Sequence, residues 1–191
     1  MKIKKEYIFI NLFFLLTLPV QAQIFKIGVK GGINYANQIG GSITENTINY
    51  KSEAIVGYHL GVIGELAFTK KISFQPELIY STQGADYSAT GIAGGLKNRL
   101  GYVAIPALAK VYFGKTFSLE AGPQASFLLR NKNDFTISDT KTFDFGAVAG
   151  FGIKITEAIF VQGRYVVGLS DVSTNAKIKN SVIQVAVGFF F

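Results

Sequence analysis

Cysteine and tryptophan are absent from this chain of 191 residues, and histidine occurs once. Without cysteine there is neither a disulfide scaffold nor a thiolate metal site. A single histidine argues against a zinc enzyme and against a Ser-His-Asp hydrolase. Charge is also scarce. At 16% charged and 49% hydrophobic residues, the chain lacks the high charge and low hydrophobicity that keep a polypeptide disordered. What the sequence has in quantity is glycine (21), phenylalanine (17) and tyrosine (9). That mixture suits strands, turns and closely approached backbones better than helices.

The formal net charge is +7, a balance that invites a nucleic-acid reading. The basic residues are dispersed, however, with no Lys/Arg-rich run, so no nucleic-acid partner is expected. Three lysines and one acid fall in the first 22 residues, leaving 16 basic against 11 acidic residues, or +5, from Gln23 onward.

The first residues read as an address. Lys2, Lys4 and Lys5 precede the apolar run from Tyr7 to Val20, which ends at Val20-Gln21-Ala22. A basic head, a 14-residue apolar body and a small-residue end make a secretory signal peptide over 1–22, cut between Ala22 and Gln23. The run is shorter than the roughly 18–20 residues of a spanning helix, and Pro19 interrupts it. No later apolar run is long enough for a membrane helix. The expected mature domain is 23–191.

That domain alternates at period two, the period of a strand. Eight segments follow, at about 24–35, 55–68, 72–83, 99–113, 116–130, 143–155, 159–170 and 181–191. In the second, Val56, Tyr58, Leu60, Val62, Leu66 and Phe68 oppose Gly57, His59, Gly61, Ile63, Glu65 and Ala67. The fourth is apolar at both parities. Its faces stay unassigned, and a bulge near Pro106 would account for a switch of phase. Connections alternate between short ones, at 69–71, 114–115 and 156–157, and long polar ones, at about 36–54, 84–98, 131–142 and 171–180. Even strand number, tight turns at one end and long loops at the other predict an all-β, eight-stranded antiparallel up-and-down transmembrane barrel of the outer-membrane type.

A soluble eight-stranded barrel shares this plan, and the two differ in which face is apolar. Here the polar parity is crowded with glycine, as the narrow inside of an eight-stranded barrel requires. The other parity is almost unbroken Phe, Tyr, Leu, Ile and Val, as lipid contact requires. Two aromatic girdles are predicted: Tyr35, Tyr58, Tyr80 and Phe127 toward the loops, and Phe25, Phe68, Phe74, Phe117 and Phe191 toward the turns. Outer-membrane lipid is therefore an expected partner. Ile183, Val185, Val187, Phe189 and Phe191 alternate up to the last residue, and this ending resembles the signal that barrel assembly machinery reads.

The stretches Phe25–Asn34 (FKIGVKGGIN), Tyr102–Phe113 (YVAIPALAKVYF), Leu119–Pro123 (LEAGP), Phe143–Gly152 (FDFGAVAGFG) and Arg164–Leu169 (RYVVGL) resemble the PorT-like outer-membrane β-barrel family. The resemblance covers nearly all of the mature chain and rests on glycine and aromatic patterns that identify the barrel. It implies residence in the bacterial outer membrane and an accessory role beside envelope or secretion-complex proteins. Where that family often reads Y-L-E-I-P in its fourth strand, the acidic position here is Ala104.

Charged residues on the polar parity fall at comparable heights above the turns. Lys30, Glu65, Glu77, Glu120 and Arg164 are therefore expected to form a charge network in the lumen, since buried charges must be paired. Such a network reads either as a structural plug or as the gate of a small pore, and the tight filling of eight strands favours the plug. A barrel binding surface partners through its external loops is the further alternative. Catalysis would need His59 to meet a nucleophile such as Ser81 or Ser170, and neither serine has a distinctive neighbourhood. Gly91–Gly95 (GIAGG) lacks the Lys-Ser/Thr of a phosphate loop. No enzyme, catalytic residue, cofactor or metal is expected. N-terminal sequencing of the mature protein should begin at Gln23; retention of Met1 would show that the leader is not removed.

Overall fold

The structure, a computed structural model, describes residues 25–39, 43–45, 48–88, 96–133, 142–170 and 179–191. The leader over 1–22 and the Gly91–Gly95 stretch lie outside the described residues. Nine strands run β1 (Phe25–Ile39), β2 (Ile43–Glu45), β3 (Ile48–Ala67), β4 (Ile72–Ser88), β5 (Leu96–Phe113), β6 (Phe117–Asn133), β7 (Phe143–Lys154), β8 (Ile159–Gly168) and β9 (Lys179–Phe190). The short β2 pairs only with the start of β3, from Ile43↔Tyr50 to Glu45↔Ile48. The other eight form a closed antiparallel barrel in which each strand pairs with its neighbours in sequence. Closure comes from β1, which pairs with β3 on one side (Phe25↔Leu66 to Ala36↔Ile55) and with β9 on the other (Gly28↔Phe190 to Ile39↔Lys179). With no free edge, the ladders satisfy the backbone internally, the condition for residing in lipid.

Two of the tight turns use the same device. In Phe68-Thr69-Lys70-Lys71-Ile72 the Thr69 hydroxyl accepts from the N–H groups of Lys71 and Ile72, and Phe68 N–H donates to Ile72 O. In Ile155-Thr156-Glu157-Ala158-Ile159 the Thr156 hydroxyl accepts from Ala158 and Ile159, and Ile155 N–H donates to Ile159 O. The threonine side chain replaces the partners that a two-strand ladder loses at its end.

The faces fall as the alternation predicts. Val56, Tyr58, Leu60 and Val62 are exposed on the outer wall, while Ile55, His59, Ile63 and Glu65 are buried inside. Both girdles are present on the outside. Tyr58 packs on Tyr80 with ring centroids 6.2 Å apart and Phe127 on Phe143 at 5.3 Å toward the loops. Phe25, Phe68, Phe117 and Phe191 stand exposed toward the turns.

Two expectations need correction. The fourth segment, now β5, changes no phase near Pro106. Leu100, Tyr102, Ala104, Pro106, Leu108 and Lys110 are all buried, so one parity faces inward throughout. Pro106 lacks an N–H and leaves a gap in the β4 ladder, but the register either side of it, Pro76↔Ala107 and Ile79↔Ala104, is the same. The slip lies elsewhere: Gly101 pairs with Arg130 and Tyr102 with Leu128, which places the extra residue, Leu129, in β6. The second correction concerns the long connections, which are partly strand. The four strands β3 to β6 are 17–20 residues long, against 10–12 for β7, β8 and β9. The wall is therefore taller on one side of the barrel.

Leu60→Arg near the mid-height of the wall should destabilise the barrel by about 2–4 kcal/mol, and Leu129→Arg near the loop-side girdle by about 0–1 kcal/mol. Urea unfolding in lipid vesicles measures both. Equal tolerance at the two positions would mean that Leu60 does not face lipid.

Candidate functional site

The lumen is filled by side chains. Where the strands cross its middle, five of them present a single rung. Lys110, Glu120, Gly150, Arg164 and Gln184 are successive register partners from β5 to β9. Gly150 is essential to that rung. A Cβ there would stand 2.7 Å from Arg164 Cγ, so the missing side chain is what lets Arg164 reach across β7 to β6. Arg164 Nε donates to Glu120 Oε1. Its two terminal nitrogens donate to Glu77 on β4, at 2.7 and 2.6 Å. This two-pronged contact matches the planar guanidinium to a carboxylate.

From Arg164 the connections close on themselves. Lys30 Nζ lies 2.9 Å from Glu77 Oε2 and donates to Gln162 Oε1 at 3.1 Å. Gln162 in turn donates to Glu120 Oε2 at 2.6 Å. The ring Lys30–Glu77–Arg164–Glu120–Gln162 thus has every ionised member held by at least two others. Gln75 extends it, donating to Glu77 Oε1 and accepting from Lys110 Nζ at 2.9 Å. Lys110 stands 3.6 Å from Glu65, whose other oxygen accepts from the Tyr112 hydroxyl at 2.6 Å. The rings of Tyr112 and Phe160 lie 5.3 and 5.5 Å from the Lys110 ammonium, a favourable contact for a cation out of water.

All five residues expected in the network are buried in it, and the structure adds Lys110, Gln75, Gln162 and Tyr112. Lys110 escaped because the faces of the fourth segment could not be assigned. A signal for it was nonetheless present: three carboxylates against two cations leaves one negative charge over, and a lumen this tight requires a third cation. With Lys110 the set is Lys30, Lys110 and Arg164 against Glu65, Glu77 and Glu120, and it is neutral.

Apolar clusters border the network. Ile63, Ile79 and Ala104 pack with Phe160 and Phe190, which stack at 5.1 Å near the turns. The far end of the Phe160 ring lies over Gly188, occupying the space a Cβ would take. Toward the loops, Ala36, Ile55, Leu108, Val148, Val166 and Val182 form the second cluster.

His59 and Ser81 are register partners, yet they form no catalytic pair. His59 Nδ1 donates to Asn34 Oδ1 at 2.7 Å, and Asn34 Nδ2 donates to Ser81 Oγ at 3.0 Å. Asn34 also donates to the carbonyls of Tyr58 and Thr82, at 3.1 and 2.8 Å, across an irregularity in the β3–β4 ladder between Ala54 and His59. It stitches the wall from within. His59 and Ser81 are sealed at 2% and 1% exposure. Ser170 is remote from both, its hydroxyl accepting from Phe145 N–H. Among the described residues no cluster of His, Asp and Glu is arranged to hold a metal.

A family model described as outer membrane protein beta-barrel domain matches residues 21–174. The match is to that barrel domain rather than to PorT-like proteins in particular. No curated protein matches the chain in sequence. Solved structures do share its fold. Neisserial surface protein A is 15% identical with a TM-score of 0.58, the alignment covering 86% of this chain and 97% of that one. The outer membrane protein OprG of Pseudomonas aeruginosa is 13% identical with a TM-score of 0.56, covering 88% and 96%. Ail, the attachment invasion locus protein of Yersinia pestis, solved with the heparin analogue sucrose octasulfate, is 11% identical with a TM-score of 0.51, covering 88% and 99%.

Removing one partner from a buried charge set costs about 3–5 kcal/mol, because the remaining charges stay buried. Arg164→Ala should lower stability by that amount in urea unfolding. Adding Glu120→Gln should restore part of the loss, since members of one network are not additive. Unchanged stability of Arg164→Ala would remove the network from the barrel's energetics.

Proposed function

The chain belongs to the outer membrane protein beta-barrel domain family, and from that membership we propose that it is a non-enzymatic, non-conducting accessory component of the bacterial outer membrane that works through its rims. One observation carries the proposal. The neutral lumen network, with apolar side chains packed toward the turns and toward the loops, occupies the interior that a pore or an active site would need. Binding and positioning are then left to the surfaces outside the lumen. The taller wall from β3 to β6 supports contact on the loop side, since it raises paired backbone and not only loops above the girdle. The heparin analogue bound to Ail, a barrel of the same fold, belongs to that protein; here it supports binding of an outside partner as a use this architecture can serve. The PorT-like motifs support a partner among envelope or secretion-complex proteins, which a pull-down from cross-linked outer membranes would identify.

In a planar bilayer the folded protein should give no single-channel steps, and Arg164→Ala should give none either, since the apolar clusters remain. Stable steps from the unaltered protein would overturn the plug reading. Steps appearing only in Arg164→Ala would assign the network to a gate.

A further inference from the structure

Side-chain charge is divided unequally between the ends of the barrel. Of the net +5 from Gln23 onward, the lumen network contributes nothing, because its three cations meet three carboxylates. In sequence, the long connections and the strand ends leading into them carry eight basic and seven acidic residues. The turn side holds Lys26, Lys70, Lys71, Lys115 and Lys154 against Glu157, a net of +4 on the smaller rim.

These lysines form one continuous arc, because the turns that carry them are joined through the backbone. Lys71 O accepts from Tyr112 N–H at 2.8 Å, bringing the 69–71 turn beside the strand that leads to Lys115. Thr116 O accepts from Lys154 N–H at 2.8 Å, and Ala158 O accepts from Phe190 N–H at 2.8 Å. Ile27 O, one residue from Lys26, accepts from Phe191 N–H at 2.9 Å. Glu157 lies between Lys154 at 3.6 Å and Lys26 at 4.0 Å. Lys70, Lys71 and Lys115 are exposed and have no acidic partner among the described residues.

Their level relative to the membrane is set by their neighbours. Phe68 precedes Lys70 and Lys71, Ile72 follows them, and Lys115 sits between Phe113 and Phe117, all of them exposed on the outer wall. Aromatic residues of this kind mark the edge of the hydrocarbon. A lysine one to three residues past them places its ammonium at headgroup height, its stem lying along the apolar wall. We propose that this rim binds the anionic headgroups of phospholipids in the leaflet on the turn side, the periplasmic one for a barrel of this plan. The chemistry is that of a phosphodiester with uncompensated negative charge, such as phosphatidylglycerol. A zwitterionic lipid offers the same phosphate with its own cation attached and gains much less. The proposal rests on the barrel's place in the outer membrane, as the proposed function does.

The absence of tryptophan supplies a clean reporter. Phe117→Trp puts one indole beside Lys115, and brominated lipids quench it on contact. The full mature protein is folded into vesicles of phosphatidylcholine and phosphatidylglycerol, with one or the other brominated. Quenching by brominated phosphatidylcholine reports lipid burial of the wall whatever the headgroup preference. Its absence would sink the membrane reading, not the headgroup reading alone. The expected result is a preference of about tenfold for phosphatidylglycerol at low salt, shrinking as salt screens the lysines. Lys70→Gln, Lys71→Gln and Lys115→Gln together should bring it close to one, while Arg99→Gln on the loop side should leave it intact. No preference in the Phe117→Trp reporter protein, or one that survives the triple substitution, would overturn the proposal. Lysine-dependent pelleting with isolated peptidoglycan in the absence of a lipid preference would also overturn it, assigning the rim to the acidic cell-wall polymer.

Discussion

A backbone surrounded by hydrocarbon has no water to turn to, so each N–H and C=O must find its partner within the chain. The rest of this structure follows from that requirement. It makes the sheet close, with β1 held between β3 and β9. Closing with eight strands makes the interior narrow. A narrow interior cannot hold large residues at every inward position, and the inner parity therefore alternates side chains that fill with glycines that yield. Gly188 yields to Phe160, and Gly150 yields to Arg164. The charges are a second consequence of the same narrowness. Once polar groups are enclosed with little room for water, each must be answered by another side chain. The six charged groups of the network each face an opposite charge, with Gln75 and Gln162 bridging where ions do not touch.

Much of this was readable from the alternation of residue types, because a membrane strand writes its environment on every second position. Fold, strand count, wall orientation and the two girdles all follow from that periodicity, as do the five charged residues, whose parity and distance from the turns fix both face and height. The signal failed where both faces are apolar. In β5 the inward residues Leu100, Ala104 and Leu108 look like lipid-facing ones, since they fill the lumen with hydrocarbon, and Lys110 was lost with them. Alternation is also silent about register. The extra residue at Leu129 depends on how β6 pairs with β5, which no single segment records. The loop-side strand ends were misjudged because polar residues read as loop by composition. Above the girdle a strand meets water on its outer face and no longer needs an apolar one.

The two ends of the barrel are consequently different kinds of surface. At the turn side, three short connections and the close of β9 leave little chain, and what is there is lysine beside phenylalanine. At the loop side the wall is uneven, tall over β3 to β6 and low over β7 to β9. Between the two ends lies the lumen network, with the apolar clusters beside it.

The six ions of the lumen network sit on six different strands: Lys30 on β1, Glu65 on β3, Glu77 on β4, Lys110 on β5, Glu120 on β6 and Arg164 on β8. None of their ion pairs lies within one hairpin: Lys30 on β1 and Arg164 on β8 meet Glu77 on β4, Arg164 also meets Glu120 on β6, and Lys110 on β5 meets Glu65 on β3. A half-built sheet entering the bilayer would carry carboxylates and ammonium groups whose partners had not yet arrived, and such charges are costly in hydrocarbon. Stepwise insertion, strand after strand, is therefore the expensive route, and nearly simultaneous closure is the cheap one. The network acts as a clasp in time as well as in space, tying the moment of entry into the membrane to the moment the first strand meets the last.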